Sequence, residues 1–217
     1  MIRSIALFHS LLLRPFLHAV ALVAGTLAPA SAALALEPAT ARATVETLHD
    51  GLVHIMSNGP ELGMSGRAAY IDDVVDATYN LRVLTAQAIG PSAFRALSEE
   101  EQADIVAAYR SFVISNYARQ FSRPGPVGFE TRDVSPGPGA ALIVNTALTR
   151  PSGDPVALSY VVTETAAGEV GIVDVLHNGV SESARRRSEF GPIAAKGAGP
   201  LARAIRSKAE ELGSEPE

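Results

Sequence analysis

The chain has 217 residues, of which 47% are hydrophobic and 19% are charged, and it carries a formal net charge of −5 at pH 7. It contains no cysteine, which excludes a thiol nucleophile, a cysteine-ligated zinc ion and disulfide chemistry. The acidic balance gives no reason to expect nucleic-acid binding, because that function needs a basic surface.

The N-terminus has the composition of a secretory signal peptide. Two arginines supply positive charge, a long apolar stretch follows, and small residues ending at Ala35 form a cleavage site, with Ala32 as the alternative. Internal proline, histidine and arginine residues disfavour a retained membrane span, which needs about 20 uninterrupted apolar residues. We therefore predict that residues 1–35 are cleaved and that residues 36–217 are exported as one domain. The full chain has 18 lysines and arginines, and the signal peptide contains two of them. The exported domain therefore has 16 basic and 23 acidic residues, which gives it a net charge of 16 − 23 = −7.

Helical periodicity dominates the first half of the exported chain. Three helices are predicted in order: one from Pro38 to the turn at residues 58–60, one over about Arg67–Tyr79 and one over Leu81–Ile89. The next helix has the clearest start, because Ser98 and Glu101 form a capping box. It is predicted to extend to about Phe121 with one apolar face.

The hydrophobic period then changes to two. Four strands are predicted, over residues 129–135, 140–149, 155–165 and 169–179. Their short connections favour antiparallel hairpins in a meander. Both alternating sets of side chains in the last three strands are largely apolar, so the sheet is either covered on both faces or lines an apolar cavity with one of them.

Two further helices are predicted after the last strand, over about Ser183–Ala195 and Pro200–Leu212. The predicted fold class is α+β, with several helices packed on a small antiparallel sheet of about four strands.

The residues that could perform catalysis or bind a metal form only weak patterns. Asp174, His177 and Ser181 contain the residue types of a triad, but on one strand Asp174 and His177 point to opposite faces. His49 and His54 are five residues apart, whereas a two-histidine helical metal site needs a spacing of four. No catalytic residue, metal or cofactor is therefore predicted.

Three consecutive arginines, Arg185, Arg186 and Arg187, allow two interpretations. A solvated helix face is the usual role of such a run. The alternative is a site for an anionic headgroup or an acidic partner beside the helix. Consecutive residues fan around a helix, so at most two of the three can face one ligand.

The passage from the last strand into the following helix carries most of a family resemblance. It contains Asp174, the tripeptide Gly179–Ser181, and Arg187 three residues before Phe190. Further matching positions are Ile89-Gly90, Tyr117-Ala118, Tyr160 and the closing Gly-x-x-x-Leu helix at 197–212. In this ordered set the chain resembles the MlaC-type family of periplasmic lipid-binding proteins, also called toluene-tolerance auxiliary proteins. The hopanoid-biosynthesis-associated branch, HpnM, is the most similar part of that family.

The resemblance implies a soluble periplasmic carrier that holds lipid tails between a curved sheet and its helices. It also implies partners: a phospholipid or hopanoid ligand, an inner-membrane ABC transporter or MCE-type complex, an outer-membrane lipoprotein complex, and transient contact with the membrane surface. On this basis the expected lipid-binding residues are Phe112, Val113, Tyr117, Phe121, Val144, Leu148, Tyr160, Val162, Val173, Val175 and Phe190. The expected headgroup or partner rim is Arg185 and Arg187.

Two other functions remain open at this point. The chain could be an enzyme that acts on an apolar substrate through Asp174 and His177. It could instead be a scaffold protein of the cell envelope that binds no ligand, in which case its core would be filled.

Overall fold

Helices make up the first half of the described chain, and strands followed by two helices make up the second. The computed structural model describes residues 36–123, 128–150 and 152–214, and the predicted signal peptide, residues 1–35, lies outside them. The helices are α1 (Pro38–Ser57), α2 (Gly59–Thr78), α3 (Leu81–Ile89), α4 (Pro91–Arg95), α5 (Glu99–Gln120), α6 (Glu182–Ala194) and α7 (Ala198–Ser214). The strands are β1 (Gly128–Pro136), β2 (Leu142–Thr149), β3 (Val156–Glu164), β4 (Val170–His177) and β5 (Val180–Ser181).

The predicted starts of α1 and α5 are confirmed, and the capping box is the reason for the second. The Ser98 Oγ accepts a hydrogen bond from the Glu101 amide at 3.2 Å, and the Glu101 carboxylate accepts one from the Ser98 amide at 2.9 Å. The second helix differs from its prediction: α2 begins at Gly59, within the predicted turn, and not at about Arg67. Gly63, at φ 58°, interrupts α2 near its start. The first residues of the helix therefore show no continuous helical period in the sequence.

The sheet is an open antiparallel meander in the order β1-β2-β3-β4-β5, so the predicted topology and the α+β fold class are confirmed. β4 and β5 are joined by the Asn178-Gly179 turn, in which both residues have positive φ, 49° and 81°. That pair of angles is the one that an Asn-Gly hairpin turn supplies with little strain.

The two faces of the sheet have different surroundings. The inner face, defined here as the face that carries Val144, Tyr160 and Val175, is covered by helices. On the outer face the Ser159 hydroxyl donates to the Asn145 side chain at 2.9 Å. The outer face also carries the apolar side chains of Ile143, Ala147 and Val161, so apolar residues lie on both faces as predicted, mixed with polar ones on the outer face.

α1 packs directly across the sheet, whereas α5 packs mainly against α2, α3 and α7. Val45, Leu48 and Ile55 of α1 are completely buried in this core. The Arg67 guanidinium, also buried, donates to the Ala118 carbonyl at 2.7 Å and thereby fastens α2 to α5. Because α5 is held by other helices, space remains between its second half and the sheet.

No helix in the part of the chain that the structure describes has the length and apolarity needed to cross a membrane.

Candidate functional site

A cavity of about 860 Å³ lies between α5 and the inner face of the sheet. This volume falls within the range of about 300–1,000 Å³ that is usual for small-molecule sites. α5 supplies one wall and β2, β3 and β4 supply the opposite wall. α1 and α3 close it with Leu52, Met56 and Leu84.

The structure brings eight of the residues predicted to contact ligand together on this cavity. They are Phe112, Val113, Tyr117, Phe121, Leu148, Tyr160, Val175 and Arg185. The first four follow the helical period of α5, and the next three follow the period of two along the inner face. The two local periods thus converge on one space.

Three of the predicted valines lie outside the cavity wall. Val144 and Val162 lie on the inner face but are completely buried in the core of the domain and do not line the cavity. Val173 is the extra residue of a bulge, because Val161 and Val162 pair with Asp174 and Ile172. A single extra residue shifts which side chains of the strand point toward the inner face. Val173 is buried but does not line the cavity.

Phe190 and Arg187 also lie elsewhere. The Phe190 ring packs edge-on against Tyr109 and Phe112, with ring centroids 6.4 and 6.3 Å apart, so it supports the wall from behind. The Arg187 guanidinium donates twice to the Gln87 carbonyl, at 2.9 and 2.6 Å. It therefore binds a free carbonyl at the C-terminal end of α3 and does not line the cavity.

Several lining residues were missed by the sequence analysis. Leu158 lies two residues before Tyr160 on the same face of β3, so the period of two could have identified it. The lining residues of α1 and α3 reach the cavity through packing between distant parts of the chain, so no local sequence pattern predicts them. The polar residues missed include Asn116, Gln120, Arg123, Arg150, Asn178, Glu182 and Ser183.

Four buried polar side chains around the cavity are hydrogen-bonded to one another in two pairs. The Tyr79 and Tyr117 hydroxyls hydrogen-bond to each other, and the Tyr160 hydroxyl hydrogen-bonds to the His49 ring at 3.0 Å. Burial raises the pKa of Tyr117 to about 12 and raises the pKa of Tyr79 and Tyr160 well above its usual range. Burial also lowers the pKa of His49 to about 4, and these four side chains are therefore uncharged at pH 7.

A family model described as MlaC protein matches residues 46–206, which is more than half of the chain. The chain belongs to the MlaC family. Among solved structures, its fold is similar to that of a phospholipid-binding protein from Ralstonia solanacearum in complex with a phospholipid. The two share 22% sequence identity with a TM-score of 0.64, over 79% of this chain and 98% of the other. A comparison with curated proteins finds no match.

In this MlaC-family chain, the Asp174 carboxylate holds the start of α6 against β4. It accepts hydrogen bonds from the Ser181 hydroxyl and, at 3.0 Å, from the Ser183 amide in the first turn of α6. His177 lies two residues after Val175 on the inner face and lines the cavity, whereas Asp174 lies on the outer face. The structure therefore does not bring together the acid–base pair on which the enzyme hypothesis depends.

The three consecutive arginines have three different environments. Arg185 is exposed at the cavity and forms a two-pronged ion pair with Glu182, at 2.9 and 2.7 Å. Arg186 is buried, lies 4.6 Å from the centre of the Phe112 ring and pairs with Glu182 and Glu189. Arg187 contacts α3, so the run is neither a purely solvated face nor one shared anion site.

Within the described ranges, no group of three or more histidine, aspartate or glutamate side chains is arranged to hold a metal ion.

Proposed function

We propose that this protein is a periplasmic lipid carrier that takes up the acyl tails of a phospholipid between α5 and the sheet. The observation that carries the proposal is the cavity itself, which has an apolar wall, neutral buried polar groups and one charged opening. Burial of each methylene group contributes about 0.8 kcal/mol, so tails alone supply affinity without a catalytic group. Membership of the MlaC family supports the proposal.

The structural neighbour adds support of a second kind, because the Ralstonia solanacearum protein of this fold was solved with a phospholipid. A ligand-free scaffold would have a filled core, which the cavity of about 860 Å³ disfavours. An enzyme is disfavoured because Asp174 is occupied at α6 and faces away from His177.

The proposal includes the location of the protein, its ligand and its partners. The chain is exported by a signal peptide cleaved near Ala35 or Ala32, and residues 36–217 form one lipid-binding domain. It passes lipid between an outer-membrane lipoprotein complex and an inner-membrane ABC transporter or MCE-type complex, with transient contact at the membrane surface. A hopanoid is the ligand to be tested beside phospholipid, given the resemblance to the HpnM branch.

Native mass spectrometry of the exported protein, followed by organic extraction, tests the carrier function. We expect bound phospholipid, or a hopanoid if the chain acts as its HpnM resemblance implies. A ligand-free mass from gently purified protein that also fails to take up lipid from vesicles would overturn the proposal.

A pair of matched variants tests the location of the lipid. Val175→Glu places a charge on the cavity wall, whereas Val161→Glu places the same charge on the outer face of the adjacent strand. Both positions are half-buried. We expect Val175→Glu to lose at least tenfold in lipid occupancy, because a charge in an apolar site is costly, and Val161→Glu to retain lipid. Equal occupancy in the two variants would contradict tail binding at this wall.

A further inference from the structure

The exposed members of the cavity lining lie together and define its mouth. They come from the end of α5 and the residues after it, from the residue after β2, from the β4–β5 turn and from the start of α6: Gln120, Arg123, Arg150, His177, Asn178, Val180 and Arg185. The pairing of Leu148 with Val156 brings the end of β2 beside the start of β3. The Asn178 amide donates to the Ala157 carbonyl at 2.9 Å, which brings the β4–β5 turn to the same end of the sheet.

The mouth carries more positive than negative charge, although the whole chain is acidic. Arg123, Arg150 and Arg185 line it with one carboxylate, Glu182. That carboxylate is already bound by Arg185 and Arg186. Among the described residues, neither Arg123 nor Arg150 has an ion pair or a hydrogen-bond partner. Two guanidinium groups at the mouth are therefore free to bind a ligand.

We infer that Arg123 and Arg150 select lipids whose phosphate headgroup has a net negative charge, such as phosphatidylglycerol, over zwitterionic lipids. This inference rests on the proposed function. The interior of the cavity accepts tails, so the headgroup of a bound lipid lies at the mouth. An arginine fork matches two phosphate oxygens, whereas the ammonium group of a zwitterionic headgroup is repelled by the same two charges.

A competition experiment tests the selection. Purified exported protein is incubated with vesicles that contain phosphatidylglycerol and phosphatidylcholine in equal amounts with identical tails, and the extracted lipid is quantified by mass spectrometry. Because an exposed ion pair contributes modestly, we expect an enrichment of phosphatidylglycerol of about three- to tenfold for the two arginines together. High salt should reduce the enrichment, since exposed charges are screened.

The matched variants are Arg123→Gln with Arg150→Gln, and as control Arg95→Gln with Arg203→Gln, which removes two exposed arginines that do not line the cavity. The mouth variant is expected to bind both lipids equally and the control to keep the enrichment. Uptake without preference in the unmodified protein, or an unchanged preference in the mouth variant, overturns this inference and leaves the carrier function standing. Failure to take up either lipid overturns the carrier function itself.

Two further arms identify the source of the phosphate. Inorganic phosphate at millimolar concentration should leave the enrichment unchanged if the arginines hold the headgroup of the bound lipid, and loss of the enrichment would assign them to free phosphate. Co-sedimentation with the vesicles reports binding to the membrane surface. If the mouth variant loses only co-sedimentation and keeps the preference among extracted lipids, the arginines dock the protein on membranes and the inference is wrong.

Discussion

At the scale of single residues, His49 shows how the core tolerates a polar group beside the cavity. Its ring stacks on Phe129 with centroids 3.9 Å apart and hydrogen-bonds to the Tyr160 hydroxyl. The side chain is 4% exposed, so its charged form would lack hydration. Neutral histidine is therefore part of the folded state.

This burial predicts an acid-sensitive contribution to stability. The folded-state pKa of His49, about 4, lies below the ordinary value of 6.5, so the unfolded chain binds a proton first as pH falls. The contribution is complete above about pH 6.5 and is lost as pH falls from there to about 4. We expect this histidine alone to reduce the free energy of unfolding by about 2–3 kcal/mol between pH 7 and pH 4.5, measured by urea denaturation.

His49→Gln is the control, because glutamine can hydrogen-bond to Tyr160 but does not titrate. Ion-paired carboxylates weaken in acid in both proteins, so the difference between the two pH dependences isolates His49. Identical losses in the two proteins would show that the ring is not buried in its neutral form.

At the scale of elements, the junction between α2 and α3 is attached to β4 by backbone contact. The Asn80 amide donates to the Ile172 carbonyl at 3.1 Å. A Cβ atom at Gly171 would lie 2.5 Å from the Asn80 nitrogen. A glycine is needed there because of this close approach. The same junction holds Tyr79 at the cavity wall.

We expect Gly171→Ala to destabilise the protein by about 1–3 kcal/mol, since overpacking forces the backbone apart, and to reduce lipid occupancy through the displaced Tyr79. Thermal unfolding and mass spectrometry measure the two effects. Gly191→Ala in α6 is the control, as its new methyl group would meet no atom within 4 Å. If Gly171→Ala were as stable as the unmodified protein, the α2–α3 junction could move away from β4 without any loss in the free energy of unfolding, and the prediction would be wrong.

At the scale of the whole molecule, the cavity has an apolar interior and a cationic mouth within an acidic chain. That arrangement couples lipid binding to stability, because a ligand that binds only the folded state stabilises it. At a lipid concentration a hundred times the dissociation constant, the expected gain in the free energy of unfolding is about 2.7 kcal/mol.

Extraction of the lipid is therefore expected to lower the unfolding temperature by several degrees and re-addition to restore it. Calorimetry on lipid-loaded and extracted protein measures the shift. Val175→Glu should show no shift, whereas Val161→Glu should behave like the unmodified chain. A shift that persists in Val175→Glu would place the stabilising lipid outside the cavity.

Much of the fold was predictable because its signals are local. The capping box at Ser98, the period of 3.6 along α5, the period of two along the strands and the Asn-Gly turn each involve residues only a few positions apart. These signals predicted the α+β class and the meander. The resemblance to the MlaC family rested on the same ordered elements.

The cavity was predictable only in part, because a side chain's surroundings depend on distant residues. Tyr117 and Tyr160 could be assigned to it from their periods, but Val144 and Val162 share the inner face with Tyr160 and are buried in the core instead. One bulge removed Val173 from the expected alternation. The period of two in a strand's sequence does not predict which part of the sheet lies in the core and which part lines a cavity, nor where a bulge occurs.

The amino-acid sequence by itself determined the long helices and strands, apart from the start of α2, together with the order of the four long strands and the family of the chain, because short-range patterns specify these. Tertiary structure alone decided that α5 is held away from the sheet, that the arginines at 185–187 have three separate environments and that Arg123 and Arg150 meet at one mouth. The physical reason is that burial and charge pairing are set by residues far apart in the chain.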